Sequence, residues 1–255
     1  MKNIISLTSV NNERVKYFLS LTDKKTRNKE QKFLIEGYHL VEEASKTPFL
    51  EGIITTDEKN FSKFNKVTKY LVTMPIIEKL SSTKTPQNIL GIVRMQDHSK
   101  DVLLKLIKQQ NVKLLLLDEI NDPGNLGTII RTTAALGYDG VVMSNNTVDL
   151  YNDKVLRSTQ GVLFKIPLIK MDLKEAVKIL KENNIKCFGT SLDKAVFLDD
   201  VKKVNRFAIC MGNEARGMSK EILELMDQNI KIPMNADVES LNVSIASAII
   251  MYKLK

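Results

Sequence analysis

The pattern of hydrophobic and polar positions divides the chain into two parts. In the second part, short apolar runs alternate with segments whose apolar residues recur every three or four positions, which predicts alternating strands and helices. Such alternation is typical of a largely parallel sheet covered by helices on both faces. We therefore predict an α/β domain over residues 106–255. Its predicted strands are VKLLLLDEI, YDGVVMS, KIPLIKM, IKCFGTS, NRFAICMGNE and NIKIPMN, and its predicted helices include LGTIIRTTAALG, NDKVLRSTQG, DLKEAVKILKENN and the terminal ESLNVSIASAIIMYKLK.

The first part, residues 1–105, has the pattern of a smaller α/β domain. The segment KFLIEGYHLVEEASK indicates a short strand that turns into a helix, and EGIITTDE, KYLVTM and PQNILGIVRMQDH indicate further strands. The segment SKDVLLKLIKQQN is predicted to be a helix or a linker that leads into the second part.

Charge separates the two parts further. Residues 1–110 carry 19 Lys and Arg against 12 Asp and Glu, whereas residues 111–255 carry 19 against 18. A basic first part and a nearly neutral second part favour a polyanion, such as a nucleic acid, as the partner of the first part. The alternative is a lysine-rich surface that only keeps the protein soluble.

Several classes of protein do not fit the sequence. No apolar run approaches the roughly 20 residues of a membrane span, and the N-terminus lacks the apolar core of a signal peptide. Cys187 and Cys210 lie in predicted strands, which indicates buried free thiols and a reducing, cytoplasmic location. The two cysteines and two histidines are far apart and give no metal-site spacing.

Candidate chemistry begins in NDPGNLGTIIRTTAALG, residues 121–137, which follows a predicted buried strand. Its first two glycines are spaced G-x-x-G and no Walker lysine follows, so a nucleotide-phosphate loop is a poor fit. Asn125 and Arg131 are the polar residues of interest, and they can meet at one point if Asn125 lies in a loop. The alternative for Arg131 is an ordinary solvated helix face, on a helix that Gly137 closes as its C-cap.

Two later segments also follow predicted strands, where sheets of this kind bind ligands. In FAICMGNEARGMS, Gly212 and Gly217 permit a tight backbone path around Glu214. In IPMNADVESLNVSIASAIIMY, Ser240 is placed to cap the last helix and Asn242 to lie in its first turn. Taken singly, the second segment is also explained by a plain loop glutamate, and the third by an ordinary C-terminal helix with a serine N-cap.

Together and in this order, the three motifs closely resemble those of the SpoU (TrmH) family of RNA 2′-O-ribose methyltransferases, within the SPOUT superfamily. The resemblance covers residues 111–255 end to end, and residues 1–105 resemble the substrate-binding domain that often precedes them. It implies an α/β, parallel-sheet SPOUT domain with a C-terminal deep trefoil knot, behind a small ribosomal-protein-like RNA-binding domain. It also implies S-adenosylmethionine as cofactor and a homodimer with the knot region and the first helix of the catalytic domain at the interface.

Two positions depart from the family pattern. Ala215 stands beside Glu214, and Ala236 stands in the third motif, where the family often has glycine. Ala236 implies a loop that does not need a positive φ there. These departures concern the fine shape of the cofactor loop and leave the resemblance intact.

The resemblance implies roles for individual residues. Arg131 is nearest the reaction, and because a guanidinium stays protonated we expect it to bind the target phosphate and stabilise the alkoxide. A phosphate oxygen, Glu214 or water then accepts the proton, and Glu214 orients Arg131 through a bidentate pair. Asn125, Ser240 and Asn242 surround this point. The expected cofactor residues are Thr190, Ser191, Gly212, Asn213, Ile232, Met234 and Leu241, and the expected RNA-binding residues are Lys24, Lys25, Arg27, Lys29, Lys32 and Arg157.

The expected function is 2′-O-methylation of a nucleotide in structured RNA. The additional N-terminal domain favours 23S ribosomal RNA over tRNA as the substrate. A non-catalytic RNA-binding or ribosome-assembly protein with the same fold is the alternative from another class. A nicotinamide-dependent oxidoreductase is disfavoured, because its glycine fingerprint is missing.

Overall fold

The computed structural model describes residues 4–235 and 237–255, and the chain folds into two compact units, Met1–Gln96 and Asp97–Lys255. The first unit is built on a five-stranded sheet in the order β1-β4-β3-β5-β2, in which β5 runs antiparallel to its neighbours β3 and β2. Its elements are β1 (Ile4–Leu7), α1 (Glu13–Ser20), α2 (Lys24–Glu30), β2 (Lys32–Glu36), α3 (Tyr38–Ser45), β3 (Leu50–Thr55), a 3₁₀ turn (Glu58–Lys63), β4 (Thr68–Val72), α4 (Met74–Leu80) and β5 (Ile89–Arg94).

Helices cover the first sheet through apolar contacts. Phe18 of α1 and Ile77 of α4 pack into a buried cluster with Ile54, Leu90 and Ile92 of the sheet. Helix α3 contacts β2, β3 and β5. The unit therefore has a hydrophobic core of its own.

The second unit is built on a seven-stranded, all-parallel sheet in the order β10-β12-β9-β11-β6-β7-β8. Its strands are β6 (Val112–Leu117), β7 (Gly140–Met143), β8 (Leu168–Lys170), β9 (Lys186–Thr190), β10 (Val196–Phe197), β11 (Arg206–Met211) and β12 (Gln228–Lys231). Its helices are α5 (Lys100–Leu106), α6 (Pro123–Ala135), α7 (Asp153–Thr159), α8 (Leu173–Glu182), α9 (Lys220–Leu223) and α10 (Val243–Leu254).

The predicted α/β class and all of the predicted strands are confirmed. The sequence missed β1, β10 and α9, which are at most four residues long and so carry almost no periodicity. It also missed α4, whose seven residues make only about two helical turns. The predicted division at residue 105 was too late, because Leu103 and Leu106 of α5 are buried in the core of the second unit. The predicted trefoil knot is not tested by strand order and stays a prediction.

Strand order brings the three motifs to one edge of the second sheet. Strands β12, β9, β11 and β6 are consecutive neighbours and run parallel, so their carboxyl ends lie side by side. The first motif follows β6, the second follows β11 and the third follows β12. Segments separated by many residues along the chain therefore begin next to one another.

Within the part of the chain that the structure describes, no helix combines the length and the apolar character that a membrane crossing requires.

Gly127 permits the close approach of α6 and α7. A Cβ atom there would lie 2.4 Å from Ser158 Cβ and 2.9 Å from the Val155 carbonyl oxygen. We predict that Gly127→Ala lowers the free energy of unfolding by about 1–3 kcal/mol, the usual cost of overpacking. In a unit of this size, the midpoint of thermal unfolding, measured by circular dichroism, should fall by about 2–4 °C for each kcal/mol.

Thr128→Ala is the matched control, because Thr128 is the exposed neighbour of Gly127 on the same helix. Its midpoint should stay close to that of the wild type. An unchanged midpoint for Gly127→Ala would mean that the contact between the helices relaxes without cost.

Candidate active site

The first motif starts helix α6 earlier than the sequence suggested. Asp122 is the N-cap, and its carboxylate accepts a hydrogen bond from the Asn125 N–H over 2.8 Å. This bond is the main cause of the lowered pKa of Asp122, with a further contribution from the Lys154 ammonium. Asn125 therefore lies in the first helical turn, not in a loop.

The carboxylate of Glu214 joins the second motif to the first. Its Oε1 accepts hydrogen bonds from the Asp122 N–H over 3.0 Å and from Asn125 Nδ2 over 3.1 Å. Its Oε2 accepts a hydrogen bond from the Asn121 N–H over 3.1 Å. Three donors of the first motif thus converge on one side chain of the second.

These donors decide the ionisation of Glu214. Partial burial raises its pKa, but the hydrogen bonds, led by those from Asp122 and Asn125, outweigh burial and leave the pKa below its usual range. An ionised carboxylate that already accepts three hydrogen bonds is a weak proton acceptor. The geometry therefore favours a positioning role for Glu214 over the role of base.

The third motif is tied to the first by two amides. Asn242 Nδ2 donates to Asn125 Oδ1 over 3.0 Å. Asn242 Oδ1 accepts from the Ser244 N–H over 2.9 Å, which makes Asn242 the N-cap of α10. The prediction that Ser240 caps this helix was wrong, because α10 begins only at Val243 and asparagine caps as well as serine.

The loop after β11 folds into a tight turn. The Asn213 N–H and the Gly217 N–H each donate to the other residue's carbonyl over 2.9 Å. A Cβ atom on Gly212 would lie 2.1 Å from the backbone nitrogen of Met218, and Gly217 has φ +69°. Both glycines are therefore required by the backbone path, as the sequence predicted.

A cavity of about 490 Å³ opens between the loops after β9, β11 and β12 and the start of α10. This size is within the range of about 300–1,000 Å³ that is common for small-molecule sites. Glu214 and Ser240 line it as well, so the cavity reaches two of the predicted catalytic residues. Every predicted cofactor residue lines it: Thr190, Ser191, Gly212, Asn213, Ile232, Met234 and Leu241.

The polar side chains of the cavity wall are largely engaged with the protein itself. Thr190 Oγ1 donates to the Cys210 carbonyl over 2.9 Å, and Asn213 Nδ2 donates to the Glu119 carbonyl over 2.8 Å. Apolar side chains such as Ile230 and Ile250 form much of the remaining wall. The cavity therefore suits a ligand with a flat apolar part, such as the adenosine of S-adenosylmethionine, held mainly by main-chain groups.

Arg131 lies apart from this arrangement. It is exposed on α6, and among residues 4–235 and 237–255 its side chain forms no hydrogen bond or ion pair. It borders a different cavity, together with Tyr138, Asp139 and Lys165. The predicted bidentate pair with Glu214 is therefore not formed. Glu214 binds Asn125 in the first turn of α6, and Arg131 lies six residues further along, on a different face of the helix.

The predicted RNA-binding residues differ in their accessibility. Lys24, Lys25 and Lys29 are exposed on α2. Arg27 is only 6% exposed, and its guanidinium donates to the Thr22 carbonyl, so it was wrongly predicted as a surface contact.

The other two predicted RNA contacts are held in ion pairs. Lys32 pairs with Glu51 over 2.7 Å. Arg157, in the second unit, pairs with Asp153 over 2.8 Å. Both partners would have to be displaced, or shared, for these cations to meet a phosphate.

Glu119 is a site residue that sequence reasoning missed. It follows β6 with φ +59°, a conformation that is unusual for a residue with a side chain. Its carboxylate accepts hydrogen bonds from Asn146 over 2.8 Å and from Arg216 over 2.7 Å, while its carbonyl holds Asn213. Glu119 thereby braces the loop of the second motif, and no sequence pattern signals this role.

Ala215 and Ala236 are the two departures from the family pattern, and only Ala215 lies among the described residues. The Ala215 N–H donates to Asn213 Oδ1 over 3.0 Å, and Ala215 is not among the residues with positive φ, so its methyl group adds no strain. Ala236 lies outside the described residues, and the expectation about its φ stays a prediction.

Both cysteines are buried and free, as predicted. Burial raises the pKa of the Cys187 thiol to about 12 and that of Cys210 as well, so neither is a thiolate nucleophile near neutral pH. No group of His, Cys, Asp and Glu within the two described ranges is arranged to hold a metal ion.

The parallel sheet, the ordered motifs and the loop-walled cavity define a methyltransferase domain of the SPOUT class. Residues 112–252 match the SpoU rRNA Methylase family, and residues 12–91 match the MRM3-like substrate binding domain. The chain belongs to the SpoU rRNA methylase family.

Individual relatives resemble the chain over nearly its whole length. It is 37% identical to the 23S rRNA (guanosine(2553)-2'-O)-methyltransferase RlmP of Bacillus subtilis, over 98% of both chains. It is 30% identical to an uncharacterized tRNA/rRNA methyltransferase of Synechocystis, over 99% of this chain and 94% of that one. An AdoMet-bound rRNA methyltransferase from Sinorhizobium meliloti superposes with a TM-score of 0.89 at 26% identity, covering 98% of this chain and 97% of that chain.

We predict that Glu214→Gln destabilises the second unit by about 1–3 kcal/mol, because one carboxylate oxygen becomes an NH₂ group that faces a backbone N–H. The loss should depend on pH. Since the pKa of Glu214 is lowered from 4.5 in the folded state, its contribution is fully present above about pH 4.5 and is lost as the pH falls through the lower folded value. Urea denaturation across this pH range measures the difference.

Glu224→Gln is the control, because Glu224 lies outside the three motifs, is exposed, and makes only a loose surface ion pair with Lys220 over 3.9 Å. It should lose little stability at any pH. A Glu214→Gln protein that remains as stable as the wild type near neutral pH would contradict the positioning role.

Proposed function

We propose that the protein transfers a methyl group from S-adenosylmethionine to a ribose 2′-hydroxyl of ribosomal RNA in the cytoplasm. The hydrogen-bonded chain Asn242–Asn125–Glu214 beside the cavity carries this proposal, because it unites the three family motifs at one ligand site. Full-length similarity to a relative named as a 23S rRNA 2′-O-methyltransferase supports the reaction and the substrate class. The AdoMet-bound relative from Sinorhizobium meliloti supports the cofactor.

S-adenosylmethionine supplies a methyl group that is already electrophilic, so the protein must position and activate a weakly nucleophilic hydroxyl. Asn125, Asn242 and Glu214 hold the three loops in register and thereby fix the cavity wall. Arg131 binds the target phosphate and stabilises the developing alkoxide. A phosphate oxygen or water accepts the proton, because Glu214 already accepts three hydrogen bonds from the first motif.

RNA is held by the basic first unit in this proposal. Lys24, Lys25 and Lys29 on α2 are exposed and available to phosphates, so binding should weaken steeply with salt. The match of residues 12–91 to a substrate-binding domain supports this division of labour.

A homodimer completes the proposal. Helix α10 is apolar on all sides, yet Ile245, Ile249 and Tyr252 are exposed. Ile249 and Tyr252 line an apolar groove with Leu136 at the end of α6. A second copy seated on α6 and α10 would cover this face and bring the exposed Arg131 of one subunit towards the cavity of its partner.

The first experiment maps ribose methylation in ribosomal RNA and tRNA from cells with and without the gene. We predict the loss of one 2′-O-methyl group in 23S rRNA, restored by the wild-type gene and not by Arg131→Ala. With purified protein, Arg131→Ala should lower the methyl-transfer rate by about 10²–10³-fold, the usual cost of losing one group that stabilises developing charge. Its calorimetric affinity for S-adenosylmethionine should remain that of the wild type.

Arg131→Lys is the matched variant, since lysine keeps the charge and loses the planar fork. Full activity would remove the requirement for bidentate contact. If deletion of the gene removes a methyl group from tRNA instead of ribosomal RNA, the substrate is tRNA. A wild-type protein that does not bind S-adenosylmethionine would favour a non-catalytic role.

Mixed dimers test whether Arg131 serves the partner's site. We predict that Arg131→Ala co-expressed with Gly212→Ala gives heterodimers with roughly half of wild-type activity, although each variant alone is inactive. In such a heterodimer, one site combines an intact cavity with the other subunit's Arg131. The activity of doubly tagged, purified heterodimers is the measurement, and light scattering confirms their mass.

Inactive heterodimers would place Arg131 in the site of its own chain. A monomeric wild-type protein would remove the dimer from the proposal.

A further inference from the structure

Tyr38 presents an exposed aromatic ring at one end of the first unit's sheet. It is the first residue of α3, directly after β2, and 41% of its surface is exposed. Helix α2, which carries the exposed lysines, comes directly before β2. The ring and those lysines therefore lie at opposite ends of one strand, and phosphate binding by α2 does not account for the ring.

The hydroxyl of Tyr38 is held by a chain of buried polar groups. It donates to Asn60 Oδ1 over 2.8 Å, and Asn60 Nδ2 donates to Thr55 Oγ1 over 2.8 Å. Thr55 Oγ1 in turn donates to the Asn88 carbonyl over 2.7 Å. Asn60 and Thr55 are buried, so hydrogen bonds to buried groups fix the orientation of the exposed Tyr38 ring.

The loop over residues 81–88 is fastened next to this ring. The carboxylate of Glu36 accepts hydrogen bonds from Ser81 Oγ over 2.7 Å and from Thr83 Oγ1 over 2.8 Å. Gln87 Oε1 accepts a hydrogen bond from the Tyr38 N–H over 3.0 Å. The loop is thus held against the start of α3.

Gly37 makes the contact between this loop and α3 possible. It has φ +101°, and a Cβ atom there would lie 2.9 Å from Gln87 Oε1. A side chain at this position would therefore push Gln87 away from the Tyr38 N–H.

Two exposed cations belong to the same end of the sheet. The Lys63 ammonium lies 5.9 Å from the centroid of the Tyr38 ring, on a long side chain that can turn towards a phosphate. Lys84 is exposed on the loop 81–88. A fixed aromatic face beside exposed cations has the composition of a site for a single-stranded nucleotide, since bases stack on aromatic rings and phosphates pair with lysine.

We propose that Tyr38, Lys63 and the loop 81–88 form a binding site for one unpaired nucleotide of the RNA substrate. The base stacks on the exposed face of Tyr38, and Lys63 and Lys84 meet the adjoining phosphates. Base-paired RNA offers no free base face, so the site selects an unpaired position and sets the register of the RNA on the first unit. The proposal rests on the proposed function only in taking the ligand to be RNA.

Because the sequence contains no tryptophan, one introduced tryptophan can serve as a direct probe of the site. In the full-length protein, Tyr38→Trp introduces a single tryptophan at the site, whose fluorescence can be excited separately from that of the tyrosines. We expect a single-stranded RNA of about 12 nucleotides, within the size range of single-strand sites, to quench its fluorescence by stacking. The same strand annealed to its complement should quench it far less.

Tyr17→Trp is the matched control, because Tyr17 lies in the same unit near Lys32, towards the other end of β2. Its fluorescence should respond weakly to the single strand. Quenching of the tryptophan at position 17 alone, or equal quenching by duplex and single strand at position 38, would overturn the proposal.

Affinity gives a second readout. Tyr38→Leu should weaken binding of the single strand by about 5- to 150-fold, the range for the loss of one stacked base. Tyr38→Phe keeps the ring and should bind within a few-fold of the wild type. Equal affinities for Tyr38→Leu and the wild type would overturn the site.

Failure of the site and failure of the proposed function are distinguishable. A protein that methylates ribosomal RNA without quenching at position 38 would lose this site and keep its function. Quenching by single-stranded RNA in a protein without methyl transfer would support the site and count against the function.

Discussion

The arrangement of the three motifs in the second unit depends on the carboxylate of Glu214. It accepts hydrogen bonds from Asn121, Asp122 and Asn125, and Asn125 in turn accepts one from Asn242. Loops that follow three different strands are thereby joined at one point. Because the donors lower the pKa of Glu214, the carboxylate stays charged, and charge-assisted hydrogen bonds are stronger than neutral ones. The same hydrogen bonds that join the loops through Glu214 lower its affinity for a proton and make it a poor base.

The cavity beside this joint is defined by backbone shape more than by side-chain chemistry. The wall residues Thr190 and Asn213 direct their polar side-chain atoms into the protein, and Gly212 leaves no room for even a methyl group. Glu119 braces the same loop in a conformation that few residues with side chains adopt. A ligand site of this kind tolerates changes such as Ala215 while the loop path is kept. Arg131 lies outside it, exposed on α6 beside a different cavity.

The first unit presents two different kinds of surface, one at each end of strand β2. Exposed lysines precede β2 on α2, and the fixed ring of Tyr38 follows it. Charge at one end attracts any polyanion, because phosphate contacts carry no information about base identity. An aromatic face at the other end distinguishes paired from unpaired bases. In this arrangement, the lysines set the affinity for RNA and the ring of Tyr38 sets the register in which the RNA binds.

The sequence by itself determined the α/β class and the longer strands, because apolar periodicity is a local property. The resemblance of the three motifs to a known family, and not periodicity, supplied the residues expected to line the cavity. It could not place Arg131 relative to Glu214, because it left open whether Asn125 lies in a loop or in α6. The helix begins at Pro123, with Asp122 as its N-cap, so Asn125 and Arg131 both lie on it and point in different directions. The sequence misjudged Ser240, because Asn242, two residues away, competes for the same role and caps α10. It misjudged Arg27, because the burial of a guanidinium depends on how the surrounding elements pack. Only the tertiary structure decided which donors meet Glu214, because parallel strand order, and not sequence distance, brings β6, β11 and β12 to a common edge.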